Sequence, residues 1–237
     1  MVEIKNLNFK HHKKDSFALC DLNFRIEDGY MAVLAGKNAS GKTTLLQLLG
    51  GLMEGYTGEI LMDGESMRSN RLEWKRKVVY VGNEQWCEEN HSLEETWDFL
   101  GDLYPDLDRA VFDDCMKKFG MEEGCLLNDY QALSTGTRMK LQIAFALARH
   151  PKLLIMDEPL ANLDPVIKQD ILEIVHDRAM KEEITVLIST HLVEEVNDMA
   201  DEVIFIEDGK VKYAGETDQV LEEGNAQSLA ELFLKKR

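Results

Sequence analysis

Met31-Ala32-Val33-Leu34-Ala35-Gly36-Lys37-Asn38-Ala39-Ser40-Gly41-Lys42-Thr43-Thr44 joins a short apolar run, a loop with two glycines and the start of a helical run that continues to Leu49. The loop fits G-x-x-x-x-G-K-[ST], and its place between a buried strand and a helix is the setting in which that spacing has a mechanism. Gly36 and Gly41 permit the tight turn that aims successive backbone N–H groups at a nucleotide's phosphates, and the following helix adds its positive N-terminal end. Asn38, Ala39, Ser40 and Thr44 belong to the same cradle. Lys42 is placed to reach the β and γ phosphates, and Thr43 to ligate Mg2+.

The neighbouring segments fit this reading. Val78-Val79-Tyr80-Val81, Leu153-Leu154-Ile155-Met156 and Val186-Leu187-Ile188 are further short apolar runs separated by helix-length stretches. They predict a mostly parallel sheet with helices on its faces, an α/β fold. Residues 2–9 and 18–26 carry period-two apolar positions around a polar segment at 10–15, which predicts an antiparallel pair. No buried strand run occurs at 84–133, where Ser92-Leu93-Glu94-Glu95 opens a helix through Trp97 and Leu100 with a capping box. Asp164-Pro165 starts another helix, as N-cap and first helical residue. Residues 218–237 read as a helical tail packed through Val220, Leu221, Leu229, Leu232 and Phe233. The expected organisation is a single domain over 1–237. Its nucleotide-binding core spans about 1–87 and 149–215 and includes the antiparallel β-subdomain; 88–148 form an inserted helical subdomain, and 216–237 the tail.

Composition bounds the function. A chain of 237 residues with 44% hydrophobic and 30% charged side chains has the balance of a protein that folds in water around one substantial core. Its apolar runs fall far short of the roughly 18 residues that cross a bilayer, so a membrane role must come through a partner. The first residues lack the basic flank and apolar core of a secretory signal, and a cytoplasmic location is expected. Cys20, Cys87, Cys115 and Cys125 form no metal-ligand spacing and read as free thiols. A net charge of −17 repels a phosphate backbone and argues against a nucleic-acid partner.

Leu153-Leu154-Ile155-Met156-Asp157-Glu158 ends an apolar strand on two acids. Asp157 is placed to hold Mg2+ or its waters, and Glu158 to act as general base or polariser for the attacking water. His191 follows the run at 185–188, at the carboxyl end of a parallel strand and the expected start of a helical stretch. Ligands bind such sheets at that end, which makes His191 a candidate for the γ phosphate.

These residues bracket Leu133-Ser134-Thr135-Gly136-Thr137, and the whole resembles the ATP-binding cassette (ABC) ATPase family. The five residues look like its signature, Ala161-Asn162-Leu163-Asp164 like its D-loop, and His191 like its switch histidine. The resemblance implies the P-loop NTPase fold of that family, ATP and Mg2+ as ligands, and ATP hydrolysis through Glu158, His191 and Lys42. It also implies a dimer, homomeric or heteromeric, in which Ser134 and Gly136 of one subunit close over the ATP held by the other. Ser134 can donate a hydroxyl hydrogen bond, and Gly136 lets backbone approach the phosphate at a helix N-terminus.

The sequence departs from the family pattern at several places. Thr135 and Thr137 stand where glycine and glutamine are usual. Asn83 takes the place of the glutamine that senses Mg2+, with Gln85 as the alternative through a longer loop. His11 stands where an aromatic residue stacks on adenine, with Phe17 as the alternative. The family docks a transmembrane subunit at about Asn83 to Ser92, where Trp86 lies among Glu84, Glu88 and Glu89, a surface suited to a basic helix. One cassette without heptads or a basic stripe resembles a stand-alone transporter motor at the cytoplasmic face of the membrane. Leu103-Tyr104-Pro105-Asp106-Leu107-Asp108 and the stretch 133–141 resemble motors that export antibiotics and peptides. The other reading is a non-transport ABC ATPase gating a soluble partner.

Overall fold

The computed structural model describes residues 1–11, 18–82, 92–121, 133–196 and 199–234; Phe17, Asn83, Glu84, Gln85, Trp86, Cys87, Glu88, Glu89 and Cys125, named above, lie outside them. Its strands are β1 (Val2–Phe9), β2 (Leu19–Ile26), β3 (Met31–Ala35), β4 (Thr57–Met62), β5 (Glu65–Ser66), β6 (Val78–Val81), β7 (Leu153–Asp157), β8 (Thr185–Thr190), β9 (Glu202–Glu207) and β10 (Lys210–Glu216). The helices are α1 (Lys42–Leu49), α2 (Arg71–Lys77), α3 (Leu93–Leu103), α4 (Arg109–Lys118), α5 (Thr135–Leu147), α6 (Pro165–Glu182), α7 (Thr217–Glu223) and α8 (Leu229–Leu234).

Among the described residues, β10-β9-β3-β8-β7-β6 form one sheet in which only β10 runs antiparallel to its neighbour. Every residue of β3, β7 and β8 is buried, as a parallel sheet covered on both faces requires. The second sheet, β2-β1-β4-β5, is antiparallel, and β1 and β2 pair as expected from their alternation. Four strands were not expected: β4, which buries only its second half; β5, only two residues long; β9, whose apolar run of residues 203–206 lies between two glutamates; and β10, an edge strand with no fully buried residue.

Between β6 and β7 the described residues hold α3, α4 and α5. Ser92 and Glu95 make the capping box reciprocally, at 3.2 Å from the Glu95 N–H to Ser92 Oγ and 2.8 Å from the Ser92 N–H to Glu95 Oε2. Phe112 and Phe145 meet at a ring-centroid distance of 4.6 Å, with Trp97 at 4.9 Å from Phe112. This apolar cluster is continuous with one face of the six-stranded sheet through Val79, Val81, Leu154 and Met156.

The stretch after His191 is helical only as a 3-10 turn, Val193–Glu195, with Val193 and Val196 buried. The helical tail is divided into two short helices, α7 and α8. The chain bends at Gly224 and Asn225, where Asn225 has a φ of 48° and Leu232 packs so closely that a Cβ on Gly224 would lie 2.1 Å from its Cδ1. Val220, Leu229 and Leu232 are buried as expected, with Leu221 and Phe233 partly so.

Candidate active site

The strand order puts the carboxyl ends of β3, β8 and β7 side by side, with Ala35 paired to Thr190 and Asp157 to Ser189. The glycine loop, His191 and the Asp157-Glu158 pair leave from these three ends, which is why residues far apart in the chain meet here. Gly41 has a φ of 108°, a conformation open to glycine, and caps α1 without a side chain. The first N–H groups of α1 therefore face the loop free of any side-chain acceptor, the arrangement that receives phosphate oxygens.

Asn38, Ala39, Gly41, Lys42, Thr43 and Thr44 line a cleft of about 620 Å3 together with His11, Ala161, Glu158 and His191. Gly36 and Ser40 do not line it and form its buried base. The Ser40 N–H donates to the Lys37 carbonyl at 3.2 Å, and its side chain is turned inward. A Cβ on Gly36 would stand 2.4 Å from the Ile206 carbonyl oxygen and 2.6 Å from Ser40 Oγ. Because backbone blocks that space, Gly36→Ala is expected to cost about 2 kcal/mol of stability and to weaken nucleotide binding. Chemical denaturation and a nucleotide titration check both effects.

Lys42 is buried. Its Nζ donates to the carbonyls of Gly36 at 2.8 Å and Lys37 at 3.2 Å, and stands 3.3 Å from Glu158 Oε1. The other oxygen of Glu158 lies 2.7 Å from His191 Nδ1. A carboxylate accepts only, so Nδ1 carries the proton in this bond. Glu158 itself sits at a φ of 50° and donates its N–H to Ser189 Oγ at 2.9 Å. A non-glycine residue held in the left-handed region is a cost tolerated where the side chain must be aimed.

Asp157 is buried, and each of its oxygens accepts a hydroxyl bond: Oδ1 from Ser189 at 2.7 Å and Oδ2 from Tyr80 at 2.9 Å. Neither Tyr80 nor Ser189 was legible as a site residue. Their only signal is position, Tyr80 alone among valines in β6 and Ser189 one step past an apolar run. Thr43 and Asp157 supply hard oxygen donors, which fit Mg2+, and two side chains leave most of an octahedral shell to phosphate oxygens and water.

His11 is at the cleft, its Nε2 3.4 Å from Thr44 Oγ1 and its ring edge-on to Phe9 at 5.1 Å. Ser134 and Gly136 are not. Ser134 is exposed and caps α5, accepting from the Thr137 N–H at 3.1 Å. Gly136 is buried where α5 crosses α6, and a Cβ there would lie 2.7 Å from Ile167 Cδ1. The single chain thus assembles the loop, the acids and the histidine, and leaves the signature residues outside the cleft.

A family model described as ABC transporter matches residues 19–161 of this chain, from the second strand through the loop and both acids. The chain belongs to the ABC transporter family. Among curated relatives, this cassette is similar to the ABC transporter ATP-binding protein NatA of Bacillus subtilis (strain 168), 31% identical over 233 residues that cover 96% of the chain and 94% of the relative. It is also similar to the phosphonates import ATP-binding protein PhnC of Treponema denticola, 28% identical over 94% of the chain and 92% of that protein. A solved ATP-binding subunit of an ABC transporter superposes with a TM-score of 0.88 at 26% identity, covering 99% of the chain and 98% of that structure. The cassette is an ATP-hydrolysing ABC transporter subunit with the P-loop fold of its family. Among its described residues no helix is long and apolar enough to cross a membrane.

Proposed function

We propose that this cassette is the ATP-driven motor of an exporter, held at the cytoplasmic face of the membrane by separately encoded transmembrane subunits. The observation that carries the catalytic part is the unbroken chain Lys42, Glu158, His191 across the cleft, at 3.3 and 2.7 Å. Lys42 binds the γ phosphate, Glu158 takes the proton of the attacking water, and His191 orients Glu158 and contacts the γ phosphate. Thr43, Asp157 and Asn83 hold Mg2+ and its waters; bound there, the ion neutralises charge on the phosphates. Asn38, Ala39, Gly41, Lys42, Thr43 and Thr44 cradle the phosphates over the base that Gly36 and Ser40 form, and His11 stacks on the adenine.

The place of Ser134 and Gly136 outside the cleft supports a dimer. A second cassette facing the first brings these residues over its ATP, giving two composite sites. ATP then favours the closed pair by binding it more tightly than the open one, and hydrolysis releases it. The segment Asn83 to Ser92 receives the membrane subunit.

Export of a peptide or antimicrobial compound is the finer reading, supported by the likeness of Leu103 to Asp108 and of residues 133–141 to such motors. The family also holds an import protein, so direction is tested on the assembled complex. The chain is tagged in its host and purified from detergent-solubilised membranes, and its companions are identified by mass spectrometry. A multi-span protein in near-equal amount is expected, and inside-out vesicles of that complex should accumulate substrate. Recovery only with a soluble companion would instead establish the nucleotide-gated, non-transport reading.

A further inference from the structure

We infer that Tyr80 is a positioning residue for Asp157, its phenol fixing the carboxylate that the reading above assigns to the Mg2+ shell. The inference rests on that reading. Tyr80 pairs with Ile155 across the parallel β6–β7 ladder, and Asp157 is two residues further along β7. Residues two apart on a strand share a face, so Asp157 lies on the side of the sheet where Tyr80 stands. Valine at position 80 would end short of it, whereas a phenol spans the step, and the Tyr80 hydroxyl reaches Asp157 Oδ2 at 2.9 Å.

The ring is held for this purpose. A Cβ on Gly50, at the end of the phosphate-loop helix α1, would meet Tyr80 Cδ2 at 3.4 Å, and one on Gly82 would meet Cε1 at 2.7 Å. Glycine at both positions gives the ring its slot, between the helix that carries the loop and the chain leaving β6. The second hydroxyl, Ser189 Oγ, holds Asp157 Oδ1 at 2.7 Å. One such bond leaves a carboxylate free to rotate about it; two, one to each oxygen, fix its plane. Each oxygen keeps a second lone pair for a water of the metal shell.

Tyr80→Phe removes the hydroxyl and leaves the packed ring. Its nucleotide affinity is measured on the whole chain with a fluorescent ATP analogue, once with Mg2+ and once with excess EDTA. Loss of one hydrogen bond to a charged group predicts that affinity with Mg2+ falls and the half-saturating Mg2+ concentration rises, each about ten- to a hundredfold. Affinity in EDTA stays unchanged. A variant that weakens both conditions equally, or neither, overturns the inference, because a merely structural tyrosine has no reason to act through the metal. Asp157→Asn is run alongside. If it alters Mg2+ dependence and Tyr80→Phe does not, only the role of Tyr80 falls; if Asp157→Asn has no effect, the reading of Asp157 falls and takes this inference with it.

Discussion

Glu158→Gln is expected to bind ATP as the unchanged cassette does and to hydrolyse it about a hundred- to ten-thousandfold more slowly. The substitution keeps the volume and removes only the basic oxygen. Lys42 is an ammonium donor 3.3 Å away, so the amide must present its oxygen to Lys42 and its NH2 to His191 Nδ1. The histidine then has to offer a lone pair where it had donated a proton. Both changes act on the reacting water and neither touches the backbone N–H groups of the loop or the start of α1. Binding therefore survives, and a cassette that cannot complete hydrolysis should accumulate as an ATP-closed dimer. Steady-state phosphate release gives the first quantity and size-exclusion chromatography with and without ATP the second. Unchanged turnover would remove Glu158 from the role of general base.

The second large effect lies at the other end of the sheet. Glu202 opens β9, is buried, and accepts a hydrogen bond from the Glu27 N–H at 3.3 Å. Burial, with Glu27 and Asp201 nearby, pushes its carboxyl up from 4.5 to about 7, against smaller opposing effects of that hydrogen bond and of Arg25. The folded state thus holds this proton more tightly than the unfolded chain. The associated stability is fully present below the unfolded value near pH 4.5 and is lost as pH rises through about 7, a total of about 3 kcal/mol. Glu202→Gln, which mimics the protonated acid, should abolish this part of the pH dependence. Urea midpoints for both proteins at pH 5, 6, 7 and 8 should diverge as pH rises, with the variant the more stable at pH 8. Parallel curves would show that Glu202 ionises without cost. Since Glu202 stands at the amino end of the parallel strands, nucleotide affinity is expected to be unaffected.

The sequence by itself determined the elements whose local chemistry is complete within a few residues. The strand-loop-helix from Met31 to Leu49 follows from a buried apolar run, two glycines and a helix former, and its boundaries agree with the structure to within two residues. The Ser92 capping box and the Asp164-Pro165 helix start are equally local. The acid pair stood out because it ends an apolar run and His191 because it follows one by three residues, and parallel sheets place such ends together.

What only the tertiary structure decided is everything that depends on which strand lies beside which. The order β9-β3-β8-β7-β6 sets Tyr80 and Ser189 on the two oxygens of Asp157, and no spacing in the sequence encodes that a residue 77 positions earlier would reach it. The inward turn of Ser40, the packing of Gly136 against Ile167, and the burial of Glu202 have the same origin. A side chain's surroundings are supplied by neighbours from distant segments, so its identity is written in the chain while its electrostatics and its free space are properties of the fold.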